Sequence, residues 1–172
     1  TDSAGYSKAS NIVLAGGNVT AVGANGGSAI GSGHVEKGGT TVTEAISITG
    51  GTVEATGGVG GWYADECTYD APAFGPSEVV NTGDNPATTV FPASIQMQAA
   101  KAGQLLDVWK GASAESAQHV VEGSTSPYAL TDHDAYVKAA FAESEKPLDP
   151  GNNPSNAQQP SQVNPTALAA TG

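Results

Sequence analysis

Ile12-Val-Leu-Ala-Gly-Gly-Asn-Val-Thr-Ala-Val-Gly-Ala-Asn-Gly-Gly27 returns 34 residues later as Ile46-Ser-Ile-Thr-Gly-Gly-Thr-Val-Glu-Ala-Thr-Gly-Gly-Val-Gly-Gly61, with eight of sixteen positions identical. Within a copy, apolar and polar residues alternate. Ile46 and Ile48 oppose Ser47 and Thr49, and Val53 and Ala55 oppose Thr52, Glu54 and Thr56. A period of two over such short runs is the pattern of strands, and the glycine pairs between them supply corners. A repeat of this length points to stacked units, in which Ile12 lies on Ile46, Leu14 on Ile48, Val19 on Val53 and Ala21 on Ala55. A third short strand is expected at Ser28-Ala-Ile-Gly31. The fold expectation is all-β: a right-handed parallel β-helix, or solenoid, with an irregular β cap and a disordered C-terminal tail. The alternative is a β-sandwich or meander whose two hairpins look alike.

Charge narrows the partners. Seventeen acidic residues face six lysines, no arginine is present, and the net charge is -11. Nucleic acid is excluded as a partner, because its phosphates call for a basic surface. At 172 residues there is room for one domain with a tail. The single cysteine, Cys67, has no partner for an internal disulfide and no basic neighbour to lower its pKa. No apolar run approaches the ~20 residues of a membrane helix. The start at Thr1 reads as a processed or excised piece, with further repeats expected either before it or in the less regular residues after Trp62.

The strand form I-x-I-x-G-G, the following T-V-x-A-x-G-G and the turn Ala29-Ile-Gly-Ser-Gly33 resemble the glycine-rich β-helical repeats of large cell-surface proteins of Gram-positive bacteria. The resemblance covers residues 11 to 61 and implies an architecture rather than an activity. It stops after Gly61, where Trp62-Tyr63-Ala64 replaces Ser28-Ala29-Ile30.

In chain order, residues 1–10 read as an N-terminal stub, 11–78 as β-helix coils, 79–146 as a mixed β cap, 147–167 as a proline-rich linker and 168–172 as a terminal motif. The insert Gly33-His-Val-Glu-Lys-Gly-Gly39 lacks the order of a phosphate-cradling loop and reads as exposed. From Trp62 to Pro76 aromatic and acidic residues mix: Trp62, Tyr63, Asp65, Glu66, Tyr69, Asp70 and Phe74. Trp62, Tyr63 and Tyr69 would form a sugar-stacking platform in a carbohydrate-binding module, or else plug the open end of the last repeat. Ser94-Ile-Gln-Met-Gln98 and Leu105 to Trp109 read as strands around a turn at Ala100-Lys-Ala-Gly103. Asp132 to Ala142 fits a short helix or, better, a strand that covers the edge of the last repeat.

After Lys146 half of the ten prolines fall between Pro147 and Pro165, and nothing beyond Asp149 is charged. Such a segment cannot bury enough apolar surface to fold, and in polyproline conformation it reaches on the order of 60 Å. It ends in Leu168-Ala169-Ala170-Thr171-Gly172. This resembles the LPxTG signal recognised by sortases, in its LAxTG variant. The resemblance implies attack on the Thr171 carbonyl by the sortase cysteine, loss of Gly172, and transfer to an amine of cell-wall peptidoglycan. Alanine at 169 replaces the commoner proline, and the apolar span and basic tail that follow such signals are not in this sequence.

Chemistry is sparse. Polysaccharide lyases resembling pectate lyases use an arginine base, which this chain lacks, and a hydrolase needs paired carboxylates. The outward carboxylates are sparse: Glu44 and Glu54 in the coils, then Asp65, Glu66 and Asp70. His34, His119 and His133 show no metal-ligand spacing, so no metal or cofactor is expected. The sequence thus reads as an extracellular, non-catalytic stalk or adhesin fragment whose partners are a sortase, peptidoglycan and a polysaccharide or host surface.

Overall fold

The two copies of the repeat lie side by side and in register. In the computed structural model, which describes residues 5–35, 38–59, 71–77 and 87–144, the first copy forms β2 (Ile12–Leu14) and β3 (Asn18–Val22). The second forms β5 (Ile46–Ile48) and β6 (Thr52–Thr56). Ile12 pairs with Ile46 and Leu14 with Ile48, while Val19 pairs with Val53 and Ala21 with Ala55, all parallel. Gly17 and Gly51 both turn the chain at φ 78, which glycine adopts without a Cβ penalty.

The same offset extends back into the expected stub. Tyr6–Ala9 is a strand, β1, and lies parallel to β4 (Thr40–Thr43), with Tyr6 opposite Thr40 and Ala9 opposite Thr43. A third layer follows: β7 (Thr88–Val90) lies parallel to β4, and β8 (Ile95–Met97) parallel to β5. The third strand expected at Ser28–Gly31 is reduced to one bridge, Ile30 to Phe74.

The solenoid expectation is overturned at this point. β11 (Tyr128–Leu130) joins β8 antiparallel, and β12 (Tyr136–Glu143) joins β6 antiparallel. On its other edge β12 pairs antiparallel with β9 (Gln104–Gly111), which in turn pairs antiparallel with β10 (Gln118–Ser124). The described residues are all-β, but they form three open sheets, ordered β1-β4-β7, β10-β9-β12-β6-β3 and β11-β8-β5-β2, rather than a parallel β-helix. The physical reason is length. β9 and β12 are eight-residue strands whose alternating apolar faces satisfy one another over the whole ladder, whereas the repeat strands run three to five residues. The segment at 132–142 is thus a strand from Tyr136 and covers the edge of β6, as expected of it.

One apolar core is shared by the four- and five-stranded sheets. Ile46, Ile48, Ile95 and Met97 meet Val53, Ala55, Leu106, Val108, Val137 and Ala139, each at most 2% exposed. Burying side chains of this size contributes about 1.5–3 kcal/mol each. The three-stranded sheet is closed differently, by hydroxyls. Thr41, Thr43, Ser32 and Ser77 are all buried. The Ser32 Oγ lies 2.9 Å from Thr41 Oγ1 and 2.8 Å from Thr43 Oγ1, and the Ser32 N–H donates to Thr43 Oγ1 at 3.0 Å. The Thr41 hydroxyl donates to the Gly33 carbonyl at 2.8 Å, and the Ser77 hydroxyl to the Ser32 carbonyl at 3.1 Å. Each buried hydroxyl is therefore partnered, as burial requires.

Candidate functional site

Register builds the most chemically varied surface among the described residues. Val53, Val108, Val137 and Ala139 point into the core, so their chain neighbours project from the outer face of the five-stranded sheet. His119 of β10 sits opposite Trp109 of β9, Trp109 opposite Lys138 of β12, and Lys138 opposite Glu54 of β6. The imidazole of His119 stacks on the Trp109 indole with centroids 4.3 Å apart and planes 8° from parallel. From the opposite neighbouring strand, Lys138 Nζ lies 5.5 Å from the indole centroid, a cation–π contact.

The imidazole is held in place by a carboxylate. His119 Nε2 lies 2.9 Å from Asp107 Oδ1, which also accepts the Gly123 N–H at 3.1 Å. Among the described residues no hydrogen bond joins a serine, threonine or cysteine side chain to His119 or Asp107. Because the Trp109 ring has a neighbour on each flanking strand, it offers an edge rather than a broad stacking face.

Tyr136 anchors the row from one end. Although on the outer face, it is 5% exposed, and its hydroxyl donates to Glu54 Oε1 at 3.0 Å. Burial, and then the hydrogen bond to the Glu54 carboxylate, push its phenol up to about 12. An unfolded tyrosine ionises near ~10. The stability linked to this group is therefore complete below ~10 and is lost as pH rises from there through the folded value. A spectrophotometric titration of the native protein is expected to show a late-ionising tyrosine that Tyr136→Phe removes. The same variant loses about 1 kcal/mol at neutral pH. Native tyrosines that all ionise near ~10 would contradict this assignment.

A second cluster ties the loop before β12 to β9. Lys110 contacts Asp132 closely and Asp134 at 3.4 Å. Hydrogen bonding to Asp132 raises the Lys110 ammonium above its usual range, and the same contact lowers the Asp132 carboxyl. Asp134 Oδ2 has this ion pair and no hydrogen bond, while the Asp134 carbonyl accepts the Ala73 N–H at 2.8 Å. Nearby in sequence, His133 stacks on Phe91 at 3.7 Å.

A shallow groove of about 400 Å³ crosses the outer side of the four-stranded sheet, lined by Asn11, Val13, Ser47, Pro92, Ser94 and Gln96 among others, none of them ionisable.

The residues singled out in the sequence fare unequally. Trp62, Tyr63 and Tyr69, with Asp65, Glu66, Cys67 and Asp70, lie outside the described residues, as do Leu168, Ala169, Ala170, Thr171 and Gly172. Glu44 forms an ion pair with Lys8 at 2.9 Å, and Glu54 is engaged by Tyr136, so these two carboxylates are tied up separately. Among the described residues no group of three or more His, Cys, Asp or Glu is placed to hold a metal ion. No described helix is long and apolar enough to cross a membrane. Sequence reading missed the row itself, whose members come from four separate strands and share no spacing signal. Compared with known proteins, the chain matches no family model, no curated protein and no solved structure.

Proposed function

We propose that this chain is a non-catalytic module displayed on a Gram-positive cell wall, with the β body as the exposed part and the proline-rich segment as its tether. The observation that carries the reading is Leu168-Ala-Ala-Thr-Gly172 placed directly behind an uncharged, proline-rich stretch. The body supports it mechanically. β12, the last strand before the tether, is bonded on both sides, to β9 over eight register pairs and to β6 over five. A pull on the C-terminal segment must therefore break two ladders before the sheet opens. The row His119-Trp109-Lys138-Glu54 supplies a surface for adhesion.

The test is transpeptidation. A version with a few residues appended after Gly172 is incubated with a sortase and triglycine, and the product is weighed. Thioester formation at the Thr171 carbonyl releases the peptide beginning at Gly172, and the triglycine amine then replaces the thiolate. The expected product ends in Thr171-Gly-Gly-Gly, and an unmodified chain would overturn the anchoring reading.

A second reading, carbohydrate binding at the neutral groove of the four-stranded sheet, is favoured by that groove's lining. Its side-chain amides and hydroxyls beside Val13 and Pro92 are the mixture that neutral sugars engage. Gln96→Ala would then weaken glycan binding without changing the transpeptidation product.

A further inference from the structure

We infer that the groove on the four-stranded sheet takes an extended, uncharged β-1,4-linked glycan lying across the strands, with one sugar on each of the layers β2, β5 and β8. This rests on the carbohydrate reading of the groove and specifies its ligand. It is independent of the tail.

The floor of the groove is a grid set by parallel register. Ile12 and Leu14, Ile46 and Ile48, and Ile95 and Met97 all pack on the core, so the residue between each pair points outward. Val13 pairs with Ser47 and Ser47 with Gln96, which puts these three in one column across the sheet. Two residues earlier on each strand, the same offsets put Asn11, Ala45 and Ser94 in a second column. All six line the groove. Neighbouring strands lie about 4.8 Å apart, so a ligand that crosses them meets a fresh pair of side chains at each such step.

That period selects the ligand. A β-1,4-linked sugar chain is a flat ribbon whose rise per residue is close to the strand spacing, and over three sugars it keeps step with the three layers. An extended peptide advances only about 3.3 Å per residue and is out of step by the second strand. An α-1,4-linked chain coils and leaves the floor. Each layer also offers a polar group beside an apolar one, as a sugar ring requires: Asn11 with Val13, Ser47 with Ala45, and Ser94 and Gln96 with Pro92. Among the described residues the side chains of Asn11 and Ser47 make no hydrogen bond within the chain. Gln96 Nε2 donates to Ser94 Oγ at 2.6 Å, which fixes both side chains and leaves Gln96 Oε1 and the Ser94 hydroxyl proton for a ligand.

Charge removes the competitors. No lining residue is ionisable, and Glu44, next to Ala45 in sequence, is paired with Lys8 at 2.9 Å. A uronic-acid chain would bring carboxylates to a protein of net charge -11 and find no cation in the groove to receive them. A cationic ligand would find no carboxylate there. An uncharged chain meets neither cost.

The test is calorimetric titration of the full chain with cello-, xylo- and chito-oligosaccharides of increasing length, with maltohexaose and hexagalacturonate as the mismatched chains. A Kd on the order of 1 mM or tighter is expected in at least one β-1,4 series. Affinity in that series is expected to rise tenfold or more from one sugar to three and then to level off, because the lining ends at β8. Both mismatched chains are expected to bind at least tenfold more weakly. Ser47→Val with Gln96→Ala removes polar groups from two layers without touching the core, and is expected to lower affinity tenfold or more with an unchanged circular dichroism spectrum. Should that variant not fold, amide shifts of the native chain decide, since Val13, Ser47 and Gln96 are expected to move together on titration. Binding that is lost on Gln96→Ala but indifferent to linkage and length would keep the carbohydrate reading and overturn this one. Binding that leaves those three amides unmoved would also overturn it, and no binding in any β-1,4 series would overturn both.

Discussion

Gly51→Ala is expected to leave little folded protein, while Gly17→Ala, the same change at the equivalent position of the first copy, costs only about 1–2 kcal/mol. Both glycines sit at φ 78, so both variants bear the left-handed penalty. They differ in what a Cβ meets. At Gly51 it would lie 2.2 Å from the Gly17 carbonyl oxygen and 2.7 Å from Gly16 C and Gly17 N, all backbone atoms. At Gly17 nothing lies within 4 Å. Relieving the clash requires the first two layers to separate along β2–β5 and β3–β6, which forfeits packing in both. A total cost of about 3 kcal/mol or more follows, a large share of a domain's stability. Urea unfolding of the two variants measures this difference. Equal losses would mean that the layers are not stacked as described.

Ile48→Ala is the second large effect, expected at about 3–5 kcal/mol. Ile48 is 0% exposed and lies in register between Leu14 and Met97. With layers on both sides, the space left by its side chain cannot collapse without breaking one of the pairings. Leu14→Ala, in the same column but only partly buried, is expected to cost roughly half as much, because its side chain is already partly hydrated. Thermal unfolding resolves the difference, since a domain of this size shifts by roughly 2–4 °C per kcal/mol.

The repeat made half of the register readable and hid the rest. Ile12 on Ile46 and Val19 on Val53 follow from apolar alternation that both copies preserve. Tyr6-Ser-Lys-Ala9 and Thr40-Thr-Val-Thr43 share no identical residue, yet they pair at the same offset. Their sheet is closed by Thr41, Thr43 and Ser32 hydroxyls, so no hydrophobic period marks it. The parallel solenoid was the natural extrapolation from two copies, but extrapolation assumes that the next strand resembles the last. Tyr136 to Glu143 instead alternates over eight residues and matches β9 better than any further parallel strand of the repeat. The outer row was unreadable for a different reason. Glu54, Trp109, His119 and Lys138 become neighbours only once three antiparallel registers are set.

That closing strand also sets when the molecule can fold. β6 has β3 on one side as soon as residue 56 exists, but its other side waits for β12, whose Tyr136 pairs with Thr56 across 80 residues of intervening sequence order. Loops of such separation bear their closure entropy before any contact rewards it, so folding is expected in the millisecond to second range rather than faster. During synthesis the early layers emerge with an apolar face uncovered until nearly all of the body has followed. A chain of this design stays extensible until β12 arrives and then locks in one step.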